Sequence, residues 1–146
     1  AAAEGATLVT SNANKPYVEY ALAAPATVAP DRLAKSGKKP KVEGFSGKRV
    51  LSDGSRTIEL YEVKGSTHAN GLTIAYLPGE KIMMVADAFS PRQLLKGPAK
   101  RVNPFTANLW QNLEVMKLDI ARILPIHGQM VGPDQLRLAA GKAAGM

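Results

Sequence analysis

The sequence predicts a mixed α/β chain of the α+β kind: a largely antiparallel meander sheet with helices packed on one face. Three observations carry this. Residues 48–86 hold four short segments rich in β-branched and apolar residues, with Asp53-Gly54 and Pro78-Gly79 supplying turn chemistry between them. Leu109, Leu113, Met116 and Ile120 then recur at four, three and four residues, the stripe of an amphipathic helix. Arg122-Ile123-Leu124-Pro125-Ile126 follows as one more short, buried strand.

Taken in order, Ala1-Ala2-Ala3-Glu4-Gly5 reads as the last turn of a helix closed by a glycine cap, as though a fragment had been entered midway. Residues 6–10 form a strand. Asn14 is the expected N-cap of a helix with Pro16 in its first turn and an apolar face of Tyr17, Tyr20, Ala21 and Ala24; Pro25 stops it. Residues 26–47 lack periodicity and contain Pro30, Gly37, Pro40 and Gly44. They read as a long surface connection with one helical turn near Asp31-Arg32-Leu33.

Strands follow at 48–51 and 56–63, joined by Ser52-Asp53-Gly54-Ser55. In the second, Ile58 and Leu60 share one face, with Glu59 and Tyr61 opposite. The segments 72–77 and 82–86 continue the meander. The run from Ile82 is apolar on both faces, which predicts a central strand covered on each side. Residues 89–103 form an irregular excursion before a helix opened by Asn103 or Thr106. Trp110 lies beside its stripe; Asn108, Gln111, Asn112 and Lys117 lie off it. A last helix starts at Pro133-Asp134 and carries Leu136, Leu138 and Ala139 before an Ala/Gly tail expected to fray.

With 146 residues there is room for one domain, 1–146, with a real core. Hydrophobic content of 45% against 21% charged excludes a disordered chain. No apolar run approaches the ~18 residues of a membrane span. The net charge of +7 permits an acidic partner, and the clusters Lys35, Lys38, Lys39, Lys41 and Lys96, Lys100, Arg101 are either solvated surface or phosphate-binding patches. Only 5% of residues are aromatic, leaving little to stack on bases, which argues against nucleic acid. Cysteine is absent, so a bound metal must be held by histidine and carboxylate. The compartment, periplasmic or cytoplasmic, stays open.

Three stations carry chemistry. They are Gly65-Ser66-Thr67-His68-Ala69-Asn70-Gly71, Val85-Ala86-Asp87 and Pro125-Ile126-His127-Gly128. The two histidines of the chain each follow a β-type segment, and Asp87 closes the strand between them. Singly, a histidine is more often structural than a ligand, and an aspartate after a strand commonly caps a turn. A simple meander would set all three side by side, and His, Asp and His on one sheet rim make a metal site. Phe105 and Trp110 either wall a pocket beside it or pack in the core.

These motifs, in this order and spacing, together with Leu77-Pro78-Gly79-Glu80-Lys81 and Leu124-Pro125, resemble the second half of a metallo-β-lactamase-fold hydrolase. The likeness runs from about Ala1 to about Val131. It implies half of a four-layer αββα sandwich with one or two metal ions, usually zinc, at the sheet edge. By motif, His68 would bind the first ion and His127 the second, with Asp87 the bridging, catalytic carboxylate. In the family, a water or hydroxide held by the ions attacks an ester, amide, thioester or phosphodiester. Asn70 and Gly71 would line the substrate side.

The family's His-x-His-x-Asp-His motif, which supplies the other ligands, is not in this chain. The resemblance therefore implies the C-terminal portion of a zinc-dependent hydrolase, inactive and weakly metallated alone. Its partners would be a small-molecule substrate and either the missing N-terminal half or a second copy covering the exposed sheet face. The alternative reading is a non-catalytic basic module that binds an acidic partner.

Overall fold

The computed structural model describes residues 1–25, 27–94 and 102–142. They form two compact units, 1–46 and 47–146.

In the first unit, β1 (Thr7–Ser11) and β2 (Lys41–Phe45) pair in parallel, Thr7 opposite Lys41 and Ser11 opposite Phe45. Between them lie α1 (Lys15–Ala23), with Pro16 in its first turn, and α2 (Arg32–Ser36). Asp31 caps α2 by accepting from the Ala34 amide at 2.8 Å. A 3-10 turn at Ala2–Glu4 precedes β1 and ends at Gly5, whose φ of 95° is the left-handed glycine cap read from the sequence.

Two expectations fail here. Residues 26–47 are not all connection, because Lys41–Phe45 is a strand. Its isolated Val42 and Phe45 show no two-residue period; the parallel ladder to β1 decides it. The predicted apolar face of α1 does not face a core either, since Tyr17 and Tyr20 are 72% and 75% exposed.

The second unit is a five-stranded mixed sheet in the order β3-β4-β5-β6-β7. Its strands are β3 (Lys48–Ser52), β4 (Thr57–Glu62), β5 (Thr73–Leu77), β6 (Ile82–Val85) and β7 (Arg122–Pro125). The first four run as an antiparallel meander, and β7 joins β6 in parallel after the crossover through α3 (Pro104–Met116). Asn103 is the N-cap of α3, its side chain accepting from the Phe105 amide. The helix ends one turn earlier than its stripe suggests. Lys117 takes the left-handed cap conformation, and Ile120 packs on the core from the loop that follows. The last helix, α4 (Pro133–Ala139), buries Leu136 and Ala139 and leaves Leu138 outside. The Ala/Gly tail from residue 143 lies outside the described residues.

Register sorts the sheet into two faces. Tyr61 pairs with Ile74, and Tyr76 with Met83 and through it Ile123. These residues join Leu109, Leu113 and Leu136 in one core, with Ile74, Met83, Leu109, Ile123 and Leu136 fully buried. Glu59, on the same face, is kept tolerable by Lys48 Nζ at 2.7 Å and by the Tyr61 hydroxyl, which donates to its other oxygen.

The opposite face carries Leu60, Ala75, Met84 and Leu124 at its centre, with Arg49, Thr73 and Arg122 around them. It borders a hollow of about 500 Å³ lined by Thr73, Ala75, Met84, Leu124 and Ile126 among others. β6 is thus inside the sheet but not fully covered on both sides: Met83 and Val85 are buried, while Ile82 and Met84 on the second face are only part-buried and Leu124 beside them on β7 is 40% exposed.

Candidate metal centre

β4, β6 and β7 run in one direction, because each antiparallel step reverses the chain and the β6–β7 step does not. Their C-terminal ends therefore share one edge of the sheet. His68 lies in the loop after β4, and Asp87 and His127 each stand two residues beyond β6 and β7.

The three side chains meet at that edge. His127 Nε2 lies 2.9 Å from Asp87 Oδ1, and His68 Nε2 lies 3.5 Å from Asp87 Oδ2. All three reach solvent, with side-chain exposures of 33%, 52% and 60% for His68, Asp87 and His127. Each imidazole thus addresses a different oxygen of one carboxylate.

Both are direct imidazole–carboxylate approaches, His127 at hydrogen-bond distance and His68 at the longer separation. Among the described residues, no group of three or more His, Cys, Asp or Glu side chains is poised to hold a metal. Two imidazoles and a carboxylate at one solvent-reaching edge are nevertheless donors of the kind that would hold a metal ion if further ligands joined them.

Helix α3 fixes the stations from behind. The buried Thr106 hydroxyl donates to the Ala88 carbonyl at 2.8 Å, next to Asp87. Asn112 accepts from the Lys64 amide at 2.8 Å and donates to its carbonyl at 3.0 Å, while Asn108 donates to the same carbonyl. Lys64 begins the loop that carries His68. Phe105 lays its ring 4.8 Å from the His68 ring, tilted by 49°. Ser90 ties the Asp87 loop to its neighbour by donating to the His127 carbonyl at 3.0 Å.

Asn108 and Asn112 were legible only as polar positions off the apolar stripe, and Thr106 only as a candidate to open the helix, a place Asn103 takes. The signal available was two asparagines four residues apart, on one helical face. Phe105 sits at the site, whereas Trp110 packs partly against the core and donates its indole N–H to Glu114. Asn70 and Gly71 border a separate cleft of about 250 Å³ together with residues 62–66. Lys35, Lys38, Lys39 and Lys41 are solvent-exposed, and Lys96, Lys100 and Arg101 lie outside the described residues.

No protein-family model and no curated protein matches the sequence. Solved structures do. A metallo-β-lactamase from Pontibacter korlensis superposes with a TM-score of 0.61 at 17% identity, over 94% of this chain and 58% of its own. This is the metallo-β-lactamase fold, in part. Rubredoxin:oxygen oxidoreductase from Desulfovibrio gigas matches 92% of the chain at a TM-score of 0.64 and 19% identity. The flavodiiron protein of Giardia intestinalis matches 94% at 0.58 and 20%. The chain spans only 37% and 35% of those two proteins. Metallo-β-lactamase-fold proteins of both kinds, lactamases and flavodiiron proteins, thus share the architecture that carries the edge of His68, Asp87 and His127.

Proposed function

We propose that this chain is the C-terminal portion of a metal-dependent hydrolase, contributing His68, Asp87 and His127 to a two-ion site. The single observation that carries this is the convergence of both imidazoles on opposite oxygens of one carboxylate. Zinc is the ion we favour, since nitrogen and oxygen donors without thiolate suit it. A bound pair of ions would supply an activated water near neutral pH and polarise an ester, amide, thioester or phosphodiester.

The chain's own residues hold and orient. Asp87 fixes both imidazole planes, Phe105 buttresses His68, and α3 anchors the loops on which His68 and Asp87 ride. Asn70 and Gly71, just past His68, are assigned to the substrate side, where a small molecule would enter.

Two nitrogen–oxygen pairs hold zinc poorly against water, where catalytic sites use three protein ligands. The site is therefore completed by a further polypeptide segment, or by a second copy of this chain, seated on the open face of Leu60, Ala75, Met84 and Leu124. The apolar centre of that face, around Ala75, Met84 and Leu124, is the part a cover would bury.

Metal analysis after dialysis against zinc, and separately against ferrous iron under argon, tests the site. Weak zinc binding by the wild type while zinc remains in the dialysis buffer, and less of it by Asp87→Ala and His127→Ala, is expected. Equal retention by all three proteins would refute the ligand assignment, and selective retention of iron would transfer it to a di-iron centre. Sedimentation tests the cover: a compact, non-aggregating monomer of 15.5 kDa would count against it.

A further inference from the structure

Between α3, α4 and the loop that enters β7 lies a hollow of about 150 Å³. Leu113, Leu118, Ile120, Ile123 and Leu136 line it, and each belongs to the hydrophobic core or packs against it. Trp110, half-buried, completes the wall, and Pro133 adds a rigid ring where α4 begins. The loop is held from both sides. The Tyr76 hydroxyl donates to the Asp119 carbonyl at 2.7 Å, and Lys81 Nζ meets the Asp119 carboxylate at 2.6 Å. The Ile120 amide also donates to the Leu118 carbonyl at 3.1 Å. The hollow is therefore formed before anything enters it.

Glu114 is the charged residue of the lining, and it reaches solvent. Its Oε1 accepts from the Trp110 indole N–H at 2.8 Å, which fixes the carboxylate beside the apolar wall. That bond leaves the second oxygen able to accept. No cation among the described residues is paired with Glu114, whereas the nearby Asp119 is taken by Lys81. A cavity of about this volume takes up benzene in other proteins. With a fixed carboxylate at its solvent side, it matches a small apolar group that carries an ammonium.

We propose that this hollow binds a small apolar amine, its ring or branched chain among Leu113, Ile123 and Leu136 and its ammonium on Glu114. The site goes beyond the hydrolase reading and is separate from the metal edge. It flanks the loop entering β7, whereas His127 follows the strand's other end.

Trp110 is the only tryptophan in the sequence, so its fluorescence reports on this wall alone. The test titrates the metal-free 146-residue chain at neutral pH and constant ionic strength with benzylamine, benzyl alcohol and benzoate. Saturable changes are expected, with benzylamine binding tightest and benzoate weakest. In Glu114→Gln, whose amide oxygen still accepts from the indole, benzylamine affinity should fall about three- to fivefold, the scale of an ion pair open to water. Benzyl alcohol should bind that variant as it binds the wild type. Leu118→Phe, which fills the hollow, should weaken both.

Non-saturating changes, benzoate binding as well as benzylamine, or equal benzylamine affinity in Glu114→Gln would each overturn the proposal. So would affinity that depends on protein concentration, because a second copy would then be competing for the hollow. No metal enters the measurement, so its failure leaves the assignment of His68, Asp87 and His127 standing, and the reverse holds too.

Discussion

Replacing Asn112 with alanine should loosen the His68 loop more than it loosens the fold. The side chain makes three hydrogen bonds, with the Lys64 amide at 2.8 Å, the Lys64 carbonyl at 3.0 Å and the Asn108 carbonyl at 2.9 Å. A typical bond contributes about 0.5–1.5 kcal/mol net. Lys64 is exposed, so its freed groups rehydrate and the lower half of that range applies, about 0.7 kcal/mol each and roughly 2 kcal/mol for the three together. Alanine returns about 0.5 kcal/mol through its helix propensity. The expected net loss is thus about 1.5 kcal/mol, close to a tenfold change in a local opening equilibrium. Hydrogen exchange reads it directly: the Lys64 amide should exchange about tenfold faster, whereas Ile74 and Tyr76 should slow or quicken only with global stability. Gln111→Ala, on the exposed face, is the control and should do neither. Unchanged protection at Lys64 would show that the asparagine clamp does not hold the loop and that His68 is positioned by other means.

Acid should act on the turn between β3 and β4. Asp53 accepts from the Ser55 and Arg56 amides and the Ser55 hydroxyl, each at 2.8 Å, and these bonds lower its pKa from 3.8 to about 2. A carboxyl depressed on folding stabilises in full above its unfolded value and loses that contribution as pH falls through about 2. Unfolding curves of Asp53→Asn should therefore depend less on pH across that window than those of the wild type. Lys117→Gly should raise stability by about 0.5–1 kcal/mol in urea unfolding, because Lys117 holds φ 52° at the C-cap of α3, a conformation glycine adopts without strain. Where a second copy provides the cover proposed above, Leu124→Glu on the open sheet face should abolish that self-association in sedimentation at a cost below about 1 kcal/mol. Association that survives the change would move the contact elsewhere.

The site was more legible than the layers around it. His68, Asp87 and His127 follow apolar runs separated by turn residues, so strand direction alone brings them to one edge. The meander was equally plain, since Asp53-Gly54 and Pro78-Gly79 sit where the chain reverses. β2 was hidden because Val42 and Phe45 carry no alternation, and pairing with a strand some thirty residues away is a non-local event. Tyr17 and Tyr20 misled for the opposite reason: a stripe exists, but helical periodicity does not say whether anything covers it. The clamps from Asn112 and Thr106 were invisible because their partners are main-chain groups, Lys64 and Ala88, which leave no trace in side-chain patterns.

The parallel pairing of β6 and β7 has a bearing on how such a centre can change over time. Val85 lies opposite Pro125, and the acid and the imidazole each leave the ladder two positions further on. Their spacing starts from the interstrand repeat of ~4.8 Å, and Ser90 and Thr106 of the crossover brace the loops that carry them. Exposed positions of the crossover helix, Gln111 and Val115 among them, can change without stretching the distance between Asp87 and His127. A slip of the ladder would stretch it, and a slip of one residue would turn Met83 and Val85 out of the core at the same stroke.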